Sequence, residues 1–209
     1  MFIHLNTHST FSKLRGTASP REILALAQKY QMPYLALTEV NGIWGFIRFV
    51  QSAQEYGILP ICGVNLIMDT DDIILLAENQ IGYENLCRVI SLVHGNAQQS
   101  LADILSSRYS GLFVLAHQKS ALETLSRFIS DTHLFIELRP GIQERESRRM
   151  SQKFNLEIVA TNDVYFLYPE DQPVHRILRA IDHNSTLSQL SPEMVKGNQH
   201  YFRSEKEMA

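Results

Sequence analysis

The sequence is poor in the residues that mark special classes of protein. Its 209 residues include two cysteines and one tryptophan. Cys62 in "PICGV" and Cys87 in "NLCRV" each lie in an apolar run, outside any CxxC or zinc-type spacing, so a disulfide framework and a thiolate metal site are unsupported and two buried, reduced thiols are expected. No apolar run approaches the roughly 18 residues of a membrane span. No signal-peptide pattern opens the sequence, and a cytoplasmic protein without a membrane partner is the expectation. Surplus positive charge is missing too: 19 Lys and Arg against 22 Asp and Glu give a formal net charge of −3 and a pI near 6.2. That balance argues against the whole-domain basic surface of a protein devoted to nucleic-acid binding and leaves room for a local patch. With 44% apolar and 20% charged residues, and only 10 Gly and 7 Pro, disordered and collagen-like chains are excluded as well.

What is present is an alternation of helical and extended patterns. "SPREILALAQKYQ" offers Ser19 as N-cap, Pro20 at the first helical position and Glu22 where a capping box needs it. "YLALT" follows as a short continuous apolar run, the pattern of a buried strand. Helical patterns recur in "GFIRFVQSAQEYG", "GYENLCRVISLVHG", "SLADILSSRY", "KSALETLSRFIS" and "QERESRRMSQKFN"; extended ones recur in "LPICGVNLIM", "DIILLAE", "GLFVLA", "HLFIEL" and "EIVATND". About seven buried strands separated by helices predict an α/β domain with a parallel sheet closed into a barrel, a single domain over residues 1–209.

In such folds ligand groups collect where strands finish. The strand ends carry Asn6 and His8, Glu39, Asn65, His117, Glu137, and Asp163 with Tyr165. His4 is expected to point away from the barrel mouth or to lie on the other face of the strand. His133, His175 and His183 read as ordinary surface or core imidazoles. Arg145, Arg148 and Arg149 are interleaved with Glu144 and Glu146, which predicts a solvated helix face. Trp44, between Gly42 and Gly45, is expected in the core or as a lid over the barrel mouth.

These segments resemble a known family. "HLNTHSTFSKLRG", "ALTEVNGIWGFIRF", "GILPICGVNL", "GYENLCR", "VATNDVYF" and "HYFRSEKEM" are similar, in order and spacing, to the PHP (polymerase and histidinol phosphatase) domain that opens bacterial C-family DNA polymerases. "FSKLRG", "ELRPG" and "NSTLSQL" look closer to the error-prone branch than to the replicative polymerase III alpha subunit. The resemblance implies a distorted barrel of seven β/α units whose active members hold zinc- or manganese-type metals at the barrel mouth and hydrolyse phosphoesters. It also implies the remaining polymerase domains as partners, with residues 184–209 starting the connection to them, and contact with DNA through the parent polymerase.

Matched position by position, the family's metal ligands are incomplete. The His-x-His motif reads Asn6 and His8; the Asp-His pair reads Glu39 and Val40; a glutamate is replaced by Asn65; and the histidine after "ATNDV" is Tyr165. His8, Asp163, Glu39 and, one place off, His117 survive at family positions, and the turn after "FIEL" reads "RPG" in place of a histidine. Asn is a poor ligand for zinc or manganese, Val is none, and bridged metals need several deprotonated donors. The expectation is a domain with no firmly bound cofactor, in which His8 and Asp163 form a buried pair and His8, Glu39, Asn65 and Asp163 converge at one mouth. It would serve as a silent scaffold of a replicative or translesion polymerase. Two alternatives remain at this point: a phosphoesterase or 3′–5′ exonuclease using His8, Glu39, His117 and Asp163 around a weakly bound Zn, Mn or Mg ion, and a groove that binds DNA or phosphate.

Overall fold

The computed structural model describes residues 2–68, 71–95 and 99–208. Ala209, the last residue of the expected connection, lies outside the described residues. The chain divides into two compact units. The first takes in the described parts of Met1–Glu39, Trp44–Ile61 and Asn162–Ala209; the second consists of Val40–Ile43 and the described parts of Cys62–Thr161.

In the first unit, helix α1 (Pro20–Lys29) starts where its capping box predicts: Ser19 Oγ accepts from the Glu22 N–H at 3.4 Å, and the Glu22 carboxylate accepts from the Ser19 N–H at 2.8 Å. Such a cap stabilises a helix by about 1 kcal/mol. Its apolar positions Ile23, Leu24 and Ala27 are buried with Leu35 and Leu37 of β1 (Tyr34–Val40) and with Phe49 and Ala53 of α2 (Phe46–Tyr56) in one hydrophobic core. Four extended segments lie side by side. The Ala36 and Thr38 N–H groups donate to His4 O and Thr7 O at 3.0 and 2.9 Å, and the His8 and Val164 N–H groups to Val164 O and Asn6 O at 2.8 and 3.0 Å. Beyond these, Tyr165 N–H donates to His200 O and Phe202 N–H to Phe166 O, both at 2.9 Å. The expected first strand is therefore present as extended residues around the parallel bridge Thr7–Val164, outside the six named strands. The loop after it is tight: a Cβ on Gly16 would meet the Ser9 carbonyl oxygen at 2.0 Å, so only glycine allows the approach.

Helix α7 (Gln172–Asp182) closes the described first unit together with the short α8 (Glu205–Met208). On α7 the buried residues are His175, Arg179 and Ala180. His175 Nδ1–H donates to Arg15 O at 2.7 Å while its Nε2 accepts from the Lys196 N–H at 3.1 Å, which requires a neutral ring.

The second unit is a sheet with helices. Its strands are the later part of β2 (Leu59–Met68), β3 (Asp71–Ala77), β4 (Leu112–Ala116), β5 (Leu134–Leu138) and β6 (Ile158–Ala160). Its helices are α3 (Gln80–Gly95), α4 (Leu101–Leu105), α5 (Lys119–Leu125) and α6 (Glu144–Phe154). Val64, Leu66, Ile73, Leu75, Val114 and Ile136 from the strands meet Leu86, Val89, Ile104, Leu122 and Met150 from the helices in a second hydrophobic core. The expectation of a wholly parallel sheet is corrected here. β4, β5 and β6 are parallel neighbours, but β2 pairs with β3 and β3 with β4 antiparallel. Only Asp69 and Thr70 separate β2 from β3 in sequence, far short of the dozen or more residues that a parallel crossover needs. Where α3 begins, a Cβ on Gly82 would lie 1.7 Å from the Gly111 carbonyl oxygen, so this contact also demands glycine.

Two smaller expectations are corrected. Cys62 and Cys87 are free thiols but half-buried, because each shares its apolar run with residues that fill the core ahead of it; burial still pushes the Cys62 thiol up to about 12. Trp44 is 57% exposed, so it is no core residue. Arg148 pairs with Glu144 at 2.6 Å on the solvated face expected of α6. Among the described residues no helix is long and apolar enough to cross a membrane.

The first unit buries two neutral imidazoles. His4 Nε2–H donates to Arg203 O at 2.8 Å, and desolvation by burial holds both His4 and His175 down to about 4. An unfolded chain takes up these protons near pH 6.5 while the folded one does not, so stability falls as pH drops from 6.5 toward 4. Urea unfolding at pH 7 and pH 5 should show a loss on the order of 2 kcal/mol per imidazole. A His4→Phe variant should lose correspondingly less over the same interval.

Candidate functional site

Each unit gathers sequence-selected residues around buried carboxylates. In the first unit, the N-terminal strand delivers Asn6 and His8, the end of β1 delivers Glu39, and the turn before Val164 delivers Asp163. All four side chains are buried. The Glu39 carboxylate accepts from the Ser9 N–H at 3.2 and 3.3 Å and from the hydroxyls of Ser9 and Ser12. The Ser12 hydroxyl donates to Glu39 and so accepts from His8 Nδ1–H at 3.2 Å. That fixes the His8 tautomer and turns its Nε2 toward Asp163 Oδ1, 3.4 Å away. Tyr165 stacks on the His8 ring with centroids 4.1 Å apart.

Asp163 is the centre of this cluster. It has a left-handed φ of 49°, a conformation open to Asp and Asn and strained for most other residues. Asn6 Nδ2 donates to Oδ1 at 3.3 Å and the Lys196 ammonium to Oδ2 at 2.5 Å. His200 Nδ1 stands 3.4 Å from Oδ2 and donates to the Asp163 backbone carbonyl at 3.0 Å.

The second unit holds Asn65 on β2, His117 just after β4, and Glu137 on β5. Asn65 Nδ2 donates to Asp72 Oδ1 at 2.6 Å. The Arg139 guanidinium reaches Asp72 Oδ2 at 2.6 Å, His117 Nε2 at 3.1 Å and Glu137 Oε2 at 3.7 Å. Since Nε2 of His117 accepts from Arg139, its proton sits on Nδ1, which faces Glu137 Oε2 at 3.5 Å. Thr161 Oγ1–H donates to the other Glu137 oxygen at 2.6 Å. Val40 ends β1 and supplies no donor. Of the expected four, the structure brings His8, Glu39 and Asp163 together in the first unit; Asn65 belongs to the second.

The fit to a metal can be tested on the donors themselves. In the first unit, the oxygens of Asp163 already serve an ammonium and an amide, His200 Nδ1 is committed to a carbonyl, and Asn6 presents its amide nitrogen to Asp163. His8 Nε2 is the one imidazole lone pair aimed at the carboxylate. Among the described residues no three His, Cys, Asp or Glu side chains form a group that could hold a metal ion. These donors do not fit the three or four ligands of a zinc- or manganese-type site.

The patterns in the sequence did not single out Lys196, His200, Asp72 or Arg139 as site residues. Arg139 had a signal: it lies two residues beyond Glu137, one past the end of β5, and side chains two apart in extended backbone share a face. Lys196 and His200 lie in irregular backbone, where no periodicity speaks.

A family model described as the PHP domain matches residues 4–166, and the chain belongs to that family. It is 30% identical over 241 residues to DNA polymerase III subunit alpha of Pasteurella multocida, covering 99% of this chain and 21% of that one. The same subunit of Vibrio cholerae is 29% identical over 242 residues, with the same coverage. The chain therefore spans about a fifth of the length of these curated relatives. A candidate metal-dependent phosphoesterase from Bifidobacterium adolescentis superposes with a TM-score of 0.54 at 12% identity, over 77% of this chain and 86% of that one. An amidohydrolase from Chromobacterium violaceum, solved with sulfate and no metal, gives 0.54 at 13% over 78% and 87%. Both likenesses bear on the fold alone, and they agree with the PHP-type α/β class expected from the sequence.

The Lys196–Asp163 contact sets a stability expectation. Lys196→Met withdraws an ammonium from a fully buried carboxylate and should cost about 1–3 kcal/mol in equilibrium unfolding. Adding Asp163→Asn should return part of that loss, a coupling that a double-mutant cycle reads directly. Arg148→Ala, which breaks the exposed pair with Glu144, should cost less than about 0.5 kcal/mol.

Proposed function

We propose that this chain is a catalytically silent PHP module of a polymerase III alpha-type DNA polymerase, a single cytoplasmic domain that supports the rest of the polymerase chain without hydrolysing anything itself. One observation carries this reading: a base of the protein's own is held against a carboxylate of each cluster, Lys196 on Asp163 and Arg139 on Asp72 and Glu137. Water activation in a phosphoesterase needs a divalent ion bound by free carboxylate and imidazole donors. A fixed ammonium or guanidinium supplies charge balance but no Lewis acid and no bound hydroxide. The family's metal site is, on this reading, degenerate, and its inherited cavity has become a structural element. The surrounding polymerase domains are the partners, and DNA is met through them. "FSKLRG", "ELRPG" and "NSTLSQL" favour the error-prone branch of the family as the source of that polymerase.

Two measurements test the proposal. The 209-residue chain with added Mn²⁺ or Zn²⁺ should cleave neither a phosphodiester model compound nor single-stranded DNA. Cleavage that His8→Ala abolishes would establish the phosphoesterase or exonuclease reading instead. In the intact polymerase, substitutions that unfold this domain should lower primer extension together with stability, while a folded His8→Gln variant should extend primers at nearly the unaltered rate.

A further inference from the structure

Helix α7 is built inside out. Its inward residues are His175, Arg179 and Ala180, and the polar pair is fully engaged: His175 with Arg15 O and the Lys196 N–H, Arg179 Nε with Met194 O at 2.9 Å and its other nitrogens with Asp182 and His183. Its outward residues include Val174, Ile177 and Ile181, exposed by 49%, 49% and 59%. These three stand at i, i+3 and i+7, the spacing of one helix face. The chain then folds back along the helix, Arg176 donating to Leu187 O at 3.1 Å and Gln172 to Lys196 O at 3.2 Å, and in that returning segment Leu187 and Met194 are exposed as well. An amphipathic helix in a globular unit normally buries its aliphatic stripe and wets its polar one. Here the polar stripe is anchored inward by specific hydrogen bonds, so the helix cannot turn its aliphatic face to the core without breaking them.

We infer that the Val174–Ile177–Ile181 stripe is the seat of another part of the same polymerase chain, one that presents an apolar helix or strand face; the inference rests on the polymerase reading above. Two observations select this occupant. The matched relatives carry roughly four-fifths of their length beyond the region this chain spans, so a large body of covalently attached chain is at hand. The stripe itself is a few hundred Å² at most. A self-sufficient dimer needs roughly 800 Å² per partner, whereas a tethered segment needs far less because its effective concentration is high.

The experiment labels single cysteines placed at Ile177 or Ile181 with a maleimide, read peptide by peptide, in the 209-residue chain and in the intact polymerase. Labelling about tenfold slower in the intact chain is the expected result. Ile177→Glu with Ile181→Glu should leave the melting temperature of the 209-residue chain unchanged, since both side chains are exposed, yet lower primer extension by the intact enzyme. Equal labelling in both forms, with lysines elsewhere in the 209 residues protected from an N-hydroxysuccinimide ester in the intact chain, would overturn the seat and leave the polymerase reading standing. No protection anywhere would overturn both. Concentration-dependent protection of the 209-residue chain alone, with dimers in sedimentation, would assign the stripe to a second copy and overturn the inference.

Discussion

A carboxylate buried with no exposed surface has to be met by charge and donors, or the fold that buries it loses several kcal/mol. Asp163 sits under that constraint, and the first unit is arranged around meeting it. The residue stands in a left-handed turn between Asn162, whose amide holds the carbonyls of Gln199 and Tyr201, and Val164, whose backbone pairs with Asn6 and His8. Its side chain then accepts from Asn6 near the chain's beginning and from Lys196 in its later part, with His8 and His200 packed 3.4 Å from its oxygens. Three stretches far apart in sequence are thereby tied at one residue. The second unit solves the same problem with Arg139, which spans Asp72 and Glu137 from the end of β5.

Chemically, a lysine or arginine differs from a divalent ion in what it leaves open. An ammonium saturates an anion with hydrogen bonds and has no vacant coordination position for water or substrate. A cluster balanced in this way is rigid and demanding of its neighbours, since removing one partner exposes the other's desolvation cost. The constellation that looks most like an active site is thus well suited to hold a fold in register.

The fold was legible where a local rule sufficed. The capping box of α1 and the apolar runs of β1 to β5 mark elements that the structure contains, because capping and strand burial act over a few residues. The antiparallel β2–β3 pair was concealed by attention to the helix–strand rhythm, although the two-residue spacing between the strands carries the information. For the site, the strand-end positions drew out His8, Glu39, Asp163, Asn65 and His117, since a strand's end fixes where its side chains go. Lys196 was invisible because its place depends on contacts with Gln172, His175 and Asp163 across irregular backbone. The buried face of α7 was hidden for the opposite reason: its pattern reads as an ordinary amphipathic helix, and polarity alone does not say which stripe turns inward.

The two units also differ in how they lie along the chain. The second is nearly contiguous, from Cys62 to Thr161, while the first needs residues 4–8, 164–166 and 200–202 side by side. On a ribosome adding roughly 5–20 residues per second, the N-terminal strand waits roughly 10–30 s for its partner at Val164 to be made. Most of the second unit is made during that interval, its last strand only just before Val164, and the opening strand, paired with β1 but bare on its other edge, is the segment that a nascent-chain chaperone would meet.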